Sequence, residues 1–300
     1  MKKVLLFFAT VAMVASVASC KKDNRTTPGG NNDSSEEPAP EKKTAKTAAE
    51  NLTLHLGFDK ADAVVETGKG LGTFTVKGDG EIIEKGFIGG AYNNKAADQT
   101  KEAYGVFELA ADNLFKEMDD VTFTAWVKLP EAASKGAIFS LNGSGIDWPA
   151  FIAYFDNSRV DEETNVKLQQ VNGRLVFHDE AGAEQNLWLD TYDAAFARYD
   201  KWFQFGFTYD HSTGAWALYV DGAEVKTAEF APKIAFKNLV TDKCNKFYVG
   251  AWASFVEGAS SEAWQSFFAG SIDEIRMYNK ALTKDEINAL YKEELAFSME

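Results

Sequence analysis

Two carboxylates stand side by side in the stretch GSIDEIRMYNKALTKDEINALY, residues 270–291. Adjacent acids can serve general acid–base chemistry or hold a cation, and the backbone beneath them decides which is open. The stretch reads as a strand, SIDEIRMYN, bounded by Gly270 and Asn279, then a turn and one short helix. Neighbours on a strand point to opposite faces, so Asp273 and Glu274 are expected not to act on one substrate together. Asp273 has the parity of Ile275 and Met277, and Glu274 that of Ile272, Arg276 and Tyr278. One carboxylate must then lie among apolar neighbours, and an ionised buried carboxylate needs a partner. That partner is either a bound cation or the protein's own backbone N–H groups and Arg or Lys side chains.

Other reactive residue types are scattered. His55, His178 and His211 stand far apart and show no metal-ligand spacing such as H-E-x-x-H. A Ser-His-Asp set has no G-x-S-x-G to support it. The acidic runs DEETN (161–165) and EMDD (117–120) lack apolar strand context and read as solvated loops, and GKGLG (68–72) reads as a turn before the strand TFTV. Aromatic residues offer the more promising chemistry, because flat rings with polar edges suit the apolar C–H faces of sugars. SGIDWPAFIAYFDNSR carries Trp148 and Tyr154, with Asp147 and Asn157 as polar partners. AWASFVEGASSEAWQSFF carries Trp252, Phe255 and Trp264 around a loop. Trp148, Tyr154, Asn157, Trp252 and Trp264 form the expected ligand-binding set, while Trp126, Trp202 and Trp216 are expected to fill a core. The competing expectation for every one of these rings is the core, where most aromatics of a large sandwich go.

The elements that must position these residues are strands. NLTLHLGFD places Leu52, Leu54, Leu56 and Phe58 on one face and Thr53 and His55 on the other. VTFTAWVKL and WFQFGFTYD repeat the period of two, and AWALYVDGAEV turns at Asp221-Gly222, a hairpin signal. With 23 Phe to fill a core and Gly-rich turns between strands, residues 51–300 read as one antiparallel β-sandwich. After the last strand, Thr283 suits a helix N-cap with Glu286 completing a capping box, and Leu282 and Ile287 suit a hydrophobic staple.

The chain's ends and charge bound the partners. A formal net charge of −14 argues against a nucleic acid, and against docking to anionic lipid by charge. Lys2 and Lys3 followed by an apolar run from Val4 to Val17 read as a secretory signal, too short to span a bilayer. Residues 21–50 contain no aromatic and are rich in Lys, Thr, Pro, Gly, Asn, Ser and Glu, the composition of a disordered tether. Cys244, just before the apolar KFYVGA, is expected buried and unreactive.

Val17-Ala18-Ser19-Cys20 resembles the lipobox of bacterial lipoproteins, which implies cleavage after residue 19, lipidation of Cys20, and a place at the outer membrane or cell surface, with the membrane met through the lipid anchor alone. VTFTAWVK (121–128), WFQFGFTYD (202–210), ALYVDGAEV (217–225), FYVGA (247–251) and the closing 270–291 stretch occur in the order seen in concanavalin A-like, laminin G-type domains of bacterial surface proteins. NLTLHLGFD (51–59) resembles that family's opening strand; one departure is Phe203 and Gln204 after Trp202, where His often follows the Trp. The resemblance implies an all-β jelly roll of two antiparallel sheets, one concave, with a short C-terminal helix. It further implies a polysaccharide or glycan ligand, or else a surface protein in an adhesion role, and a structural Ca2+ on Asp273 with Asp59 nearby. Related glucanases carry Glu-x-Asp-x-x-Glu on one strand; this string does not occur here, so a non-catalytic domain is expected over a divergent glycosidase.

Overall fold

The computed structural model describes residues 44–60, 63–131, 135–143, 148–178 and 183–298, with the side chain of His178 excepted. Cys20, the signal segment, the tether up to residue 43 and Asp147 lie outside the described residues.

The described strands are β1 (Leu52–Leu56), β2 (Val65–Gly68), β3 (Thr75–Gly78), β4 (Gly80–Ile83), β5 (Ala91–Asn94), β6 (Ala103–Glu108), β7 (Val121–Lys128) and β8 (Gly136–Leu141). They continue with β9 (Phe151–Val160), β10 (Lys167–His178), β11 (Glu184–Asp193), β12 (Trp202–Tyr209), β13 (Ala215–Val220), β14 (Ala223–Glu229), β15 (Lys246–Val249) and β16 (Ser271–Tyr278). A short helix α1 (Ala253–Val256) precedes β16, and α2 (Lys284–Ser298) closes the chain. A nine-stranded sheet runs β14-β13-β12-β7-β16-β1-β2, with β5 also on β16 and β4 on β5; a seven-stranded sheet runs β11-β10-β9-β8-β15-β6-β3. The strand pairs are antiparallel in both sheets, from β12–β7 at the centre of one to β10–β11 at the edge of the other. The architecture is a two-layered jelly-roll sandwich.

Period-two alternation sends one face of each strand inward. Phe123 and Phe207 of the nine-stranded sheet meet Phe139 and Phe151 of the other, with ring centroids 5.1 Å apart for Phe123–Phe139 and 5.0 Å for Phe151–Phe207. Phe203 meets Phe155 at 5.9 Å. Trp216 joins this core, stacked on Phe207, and Cys244 is buried beside it as a free thiol. The β13–β14 turn takes left-handed backbone at both Asp221 (φ 47°) and Gly222 (φ 73°), as a two-residue hairpin loop requires.

The outer face of the nine-stranded sheet is closed by α2. The capping box forms: Thr283 N donates to Glu286 Oε2 at 2.9 Å and Glu286 N donates to Thr283 Oγ1 at 3.3 Å. Leu282, Ile287 and Leu290 pack with Tyr219 and Tyr278 of the sheet. Ala45 is buried in the same cluster, and Lys46 N and Thr47 N donate to Glu293, so residues 44–50, expected in the tether, belong to the folded unit. Glu294, fully buried, anchors the helix: Trp126 Nε1 and Gln204 Nε2 each donate to its Oε2 at 2.7 Å, and Arg276 Nε donates to its Oε1 at 2.6 Å. Trp126 is thus buried as expected, but between the sheet and α2 rather than between the sheets. Trp202, also expected in the core, is half-buried, since it opens β12 at the sheet's end.

A buried charge deprived of its partner costs far more than an exposed one. Glu294→Ala removes one of the two carboxylates that hold Arg276 and frees the buried N–H donors of Trp126 and Gln204; it is expected to lower unfolding free energy by ~3–5 kcal/mol, read as a shift in the urea midpoint.

Candidate functional site

The Asp-Glu pair sits on an irregular strand. The β16–β7 register shifts between Asp273 and Arg276, and Glu274 takes left-handed backbone (φ 46°). Expected on opposite faces, the two carboxylates therefore both serve the outer side: Asp273 stands opposite Trp126, while Ile272, Ile275 and Met277 all remain in the core. A bulge adds one residue and so breaks the parity on which the expectation rested. Glu274 Oε2 accepts from Arg276 Nη2 at 2.5 Å and lies 2.7 Å from His55 Nε2. His55 Nδ1 lies 3.1 Å from Glu66 Oε2, so both ring nitrogens face carboxylates. His55, expected on the polar side of β1, is in fact 1 % exposed. Burial alone would lower its pKa, but Glu274 and Glu66 outweigh it and hold the pKa above 6.5.

Asp273 is fully buried and clasps a glycine-rich loop. Its Oδ2 accepts from Phe87 N at 2.8 Å and Ile88 N at 2.9 Å, and its Oδ1 from Glu274 N at 2.7 Å. Asp59 Oδ1 accepts from Gly90 N in the same loop at 3.1 Å. A Cβ on Gly86 would stand 2.7 Å from Asp273 Oδ2 and strike the Gly90 carbonyl, and one on Gly89 would strike Asp59 Oδ1. The two acids expected to bind calcium thus converge, with carbonyl oxygens beside them. Carboxylate and carbonyl oxygens are what calcium takes, so the set fits that ion in its chemistry, while backbone amides already donate three bonds to Asp273. Burial, and then Glu274, raise the Asp273 pKa well above the usual carboxylate range.

The other outer face, that of the seven-stranded sheet, carries the aromatic residues. In the register of β9, β10 and β11, one row across the sheet reads Ile152, Arg174, Trp188 and the next reads Tyr154, Asn172, Asp190. The Arg174 guanidinium lies between two rings, 3.5 Å from the Trp148 centroid and 4.4 Å from that of Trp188. Trp188 Nε1 donates to Asn172 Oδ1 at 2.9 Å, and Gln170 Nε2 to Asp190 Oδ2 at 2.8 Å. Burial lowers the Arg174 pKa from its ordinary value, opposed by Tyr154, Glu184 and Asp190.

The 251–268 segment folds onto this face beside the row. Ser140 Oγ donates to Ala251 O and accepts from Ala253 N, pinning the segment to β8. Trp252 packs on Ala137, Ile152 and Tyr154, and its ring lies 5.4 Å from Trp148 and 5.2 Å from Trp264. The expected platform is therefore brought together except for Asn157, which is exposed on β9 beyond the register shift after Phe155. Its members divide into layers. Tyr154 (3 % exposed) and Trp252 (1 %) are buried supports, Trp148 is half-buried, and Trp264 (36 %) meets solvent. The most exposed ring, Trp188 at 46 %, was missed, as were Arg174 and Asn172. A signal was present: in QNLWLD, Trp188 has the parity of Asn186 and Asp190, opposite Leu187 and Leu189, which marks an aromatic on the polar side of an amphipathic strand.

A groove of about 420 Å³ lies elsewhere, on the nine-stranded sheet between β13, β14 and Leu282. Asp210, Glu224 and Glu229 line it with small residues, and its Trp216 belongs to the core, so it lacks the exposed aromatic surface that marks the opposite face. Asp120, Asp210 and His211 also cluster, but Asp210 Oδ1 already accepts from Ser212 N and Oγ, and Asp120 holds His211.

Two packed antiparallel sheets, one face sealed by a helix and the other bearing an aromatic row, define a lectin-type jelly-roll domain. The chain belongs to the concanavalin A-like lectin/glucanases superfamily: the laminin G 3 family model matches residues 101–288, more than half its length. Among curated proteins none matches in sequence. Similar solved structures include a tryptophan-to-alanine mutant of HCR/D, at 12 % identity and TM-score 0.52, covering 81 % of this chain and 51 % of that one. The botulinum neurotoxin type G receptor binding domain is similar at 14 % identity and TM-score 0.50, covering 81 % and 51 %. Domain 4 of AbnA, an arabinanase from Geobacillus stearothermophilus in complex with arabinotriose, is similar at 20 % identity and TM-score 0.47, covering 80 % and 99 %. The chain spans about half the length of the first two, and at these identities the likeness concerns the fold.

His55 gives the buried network a pH dependence with a definite sign. Its folded pKa is raised, so its stabilisation is complete below about pH 6.5 and is lost as pH rises through the folded value. Asp273 and Glu294, also raised by burial, act in the same direction. Urea midpoints are expected to fall from about pH 5.5 to about pH 8.5, with a shallower slope in His55→Gln. An unchanged slope in that variant would place the proton on another group.

Proposed function

We propose that this protein is a non-catalytic, lipid-anchored carbohydrate-binding domain of a bacterial cell surface, and that it meets its glycan on the outer face of the seven-stranded sheet. The observation that carries this reading is the exposed Trp188 on β11, in line with Arg174 of β10, with half-buried Trp148 across the guanidinium, the exposed loop ring Trp264 beside it, and Asp190 on the next row. Rings offer the apolar faces of a sugar a flat surface, and amide and carboxylate groups orient its hydroxyls. A protein-interaction module would instead favour an apolar loop patch over a bare polar sheet, and the exposed aromatics lie on the sheet as well as on its loop. The superfamily's name joins lectins to glucanases, so non-catalysis is a statement about this face: its described residues bring aromatics and an arginine together at the row of Arg174 and Trp188.

A structural Ca2+ held by Asp59 and Asp273 belongs to the same reading, supported by the hold of both carboxylates on the Gly86–Gly90 loop. The lipid anchor rests on Cys20 and its preceding residues.

Trp188→Ala is expected to weaken binding to a polysaccharide found on a glycan array about tenfold, ~1.4 kcal/mol, with the circular dichroism spectrum unchanged. Chelator is expected to lower the melting temperature, and added Ca2+, not Mg2+, to restore it. Intact binding in Trp188→Ala would remove this face from the reading. Hydrolysis of the bound polymer would replace binding with catalysis. Separately, Cys20→Ser is expected to move the protein from the detergent phase to the aqueous phase in a phase-separation assay, with loss of acyl mass.

A further inference from the structure

The donors on the aromatic face are unbalanced. Arg174 is only 7 % exposed, yet its Nε and Nη1 have no hydrogen-bond partner, and no described carboxylate pairs with it. Glu184 and Asp190 act on it at a distance; Asp190 Oδ2 is engaged by Gln170. Two residues along β10, on the same face, fully buried Asn172 has its Oδ1 occupied by Trp188 Nε1 while its Nδ2 has no partner. The orphaned side-chain atoms described on this row are therefore all N–H donors, and one of their carriers is a cation. Buried donors are normally satisfied, and an orphaned set of one polarity calls for a complement of the other.

We infer that the ligand of this face carries an anionic group, a carboxylate or sulfate on a sugar, which seats against Arg174 and Asn172 between Trp148 and Trp188. The inference rests on the proposed glycan reading and narrows it to acidic polysaccharides. A guanidinium clamped between rings keeps its N–H groups in the plane between them, where carboxylate or sulfate oxygens accept them edge-on. The flanking rings, 3.5 and 4.4 Å from the guanidinium, fix that plane before the ligand arrives and provide stacking surface for the sugar ring bearing the charge. The net charge of −14 does not oppose this beyond the local field, because charges more than about 8 Å away are largely screened at physiological salt.

The test uses the full chain and calorimetry against polygalacturonate, its carboxyl-reduced form, dextran sulfate and unmodified dextran. At least tenfold tighter binding to one acidic polymer than to its neutral counterpart is expected; polygalacturonate and dextran sulfate distinguish carboxylate from sulfate. Asn172→Asp keeps the acceptor for Trp188 but replaces the orphaned donor with negative charge, and is expected to lose at least tenfold on the acidic polymer alone, whereas Arg174→Lys keeps charge without the fork and is expected to lose less. Equal binding to acidic and neutral polymers would overturn the inference and leave the glycan reading standing. Acidic binding unaffected by Asn172→Asp, with the melting temperature retained, would overturn the assignment to these residues. Failure to bind any polysaccharide on an array would overturn both.

Discussion

Glu294 is a fully buried carboxylate on the last helix, and the arrangement of the molecule follows from satisfying it. Donors from three strands converge there: Trp126 of β7, Gln204 of β12 and Arg276 of β16. Arg276 in turn holds Glu274, which meets His55 of β1. A chain of charges in a low-dielectric space tolerates no missing member, so it fixes α2 on the nine-stranded sheet in one position. That closure covers the outer face of the nine-stranded sheet and not that of the other.

The two outer faces are built by opposite means. The nine-stranded sheet links Glu274, Arg276 and Glu294 in one buried network and covers it with a helix whose apolar stripe, Leu282, Ile287 and Leu290, completes the seal. The seven-stranded sheet covers only part of its face, with the pinned 251–268 segment and Trp252. Beyond that segment Arg174 and Trp188 stand on β10 and β11, with Trp148 of the loop before β9 against the guanidinium, and Arg174 and Asn172 keep donors without a partner among the described residues. The fold thus covers one outer face with a helix and leaves exposed rings on the other.

The glycine-rich loop at residues 86–90 ties the two ideas together at the sheet's edge. Asp273 and Asp59 grip it through backbone amides, and Phe87 from it stacks on Trp126 at 3.4 Å between centroids. Glycine at 86 and 89 is needed because a Cβ would collide with the carboxylates or with Gly90. The left-handed Glu274 beside it is costly for a non-glycine residue, and its bonds to Arg276 and His55 hold it there.

Local rules determined much of this molecule. Alternation in VTFTAWVK and WFQFGFTY fixed which residues face the core, Asp221-Gly222 fixed a hairpin, and Thr283 with Glu286 fixed the helix start, because each depends on neighbours a few residues apart. The Trp148–Trp252–Trp264 cluster was legible as composition, though not its division into buried supports and exposed rings. Tertiary structure alone decided the rest. Whether Asp273 and Glu274 share a side depends on a bulge set by pairing with β7, whether His55 is buried depends on Glu66 and Glu274, and whether Arg174 lies between two tryptophans depends on the register of β10 with β11 and on a loop arriving from residue 148. Those are contacts between residues distant in the chain, and no period within a strand encodes them.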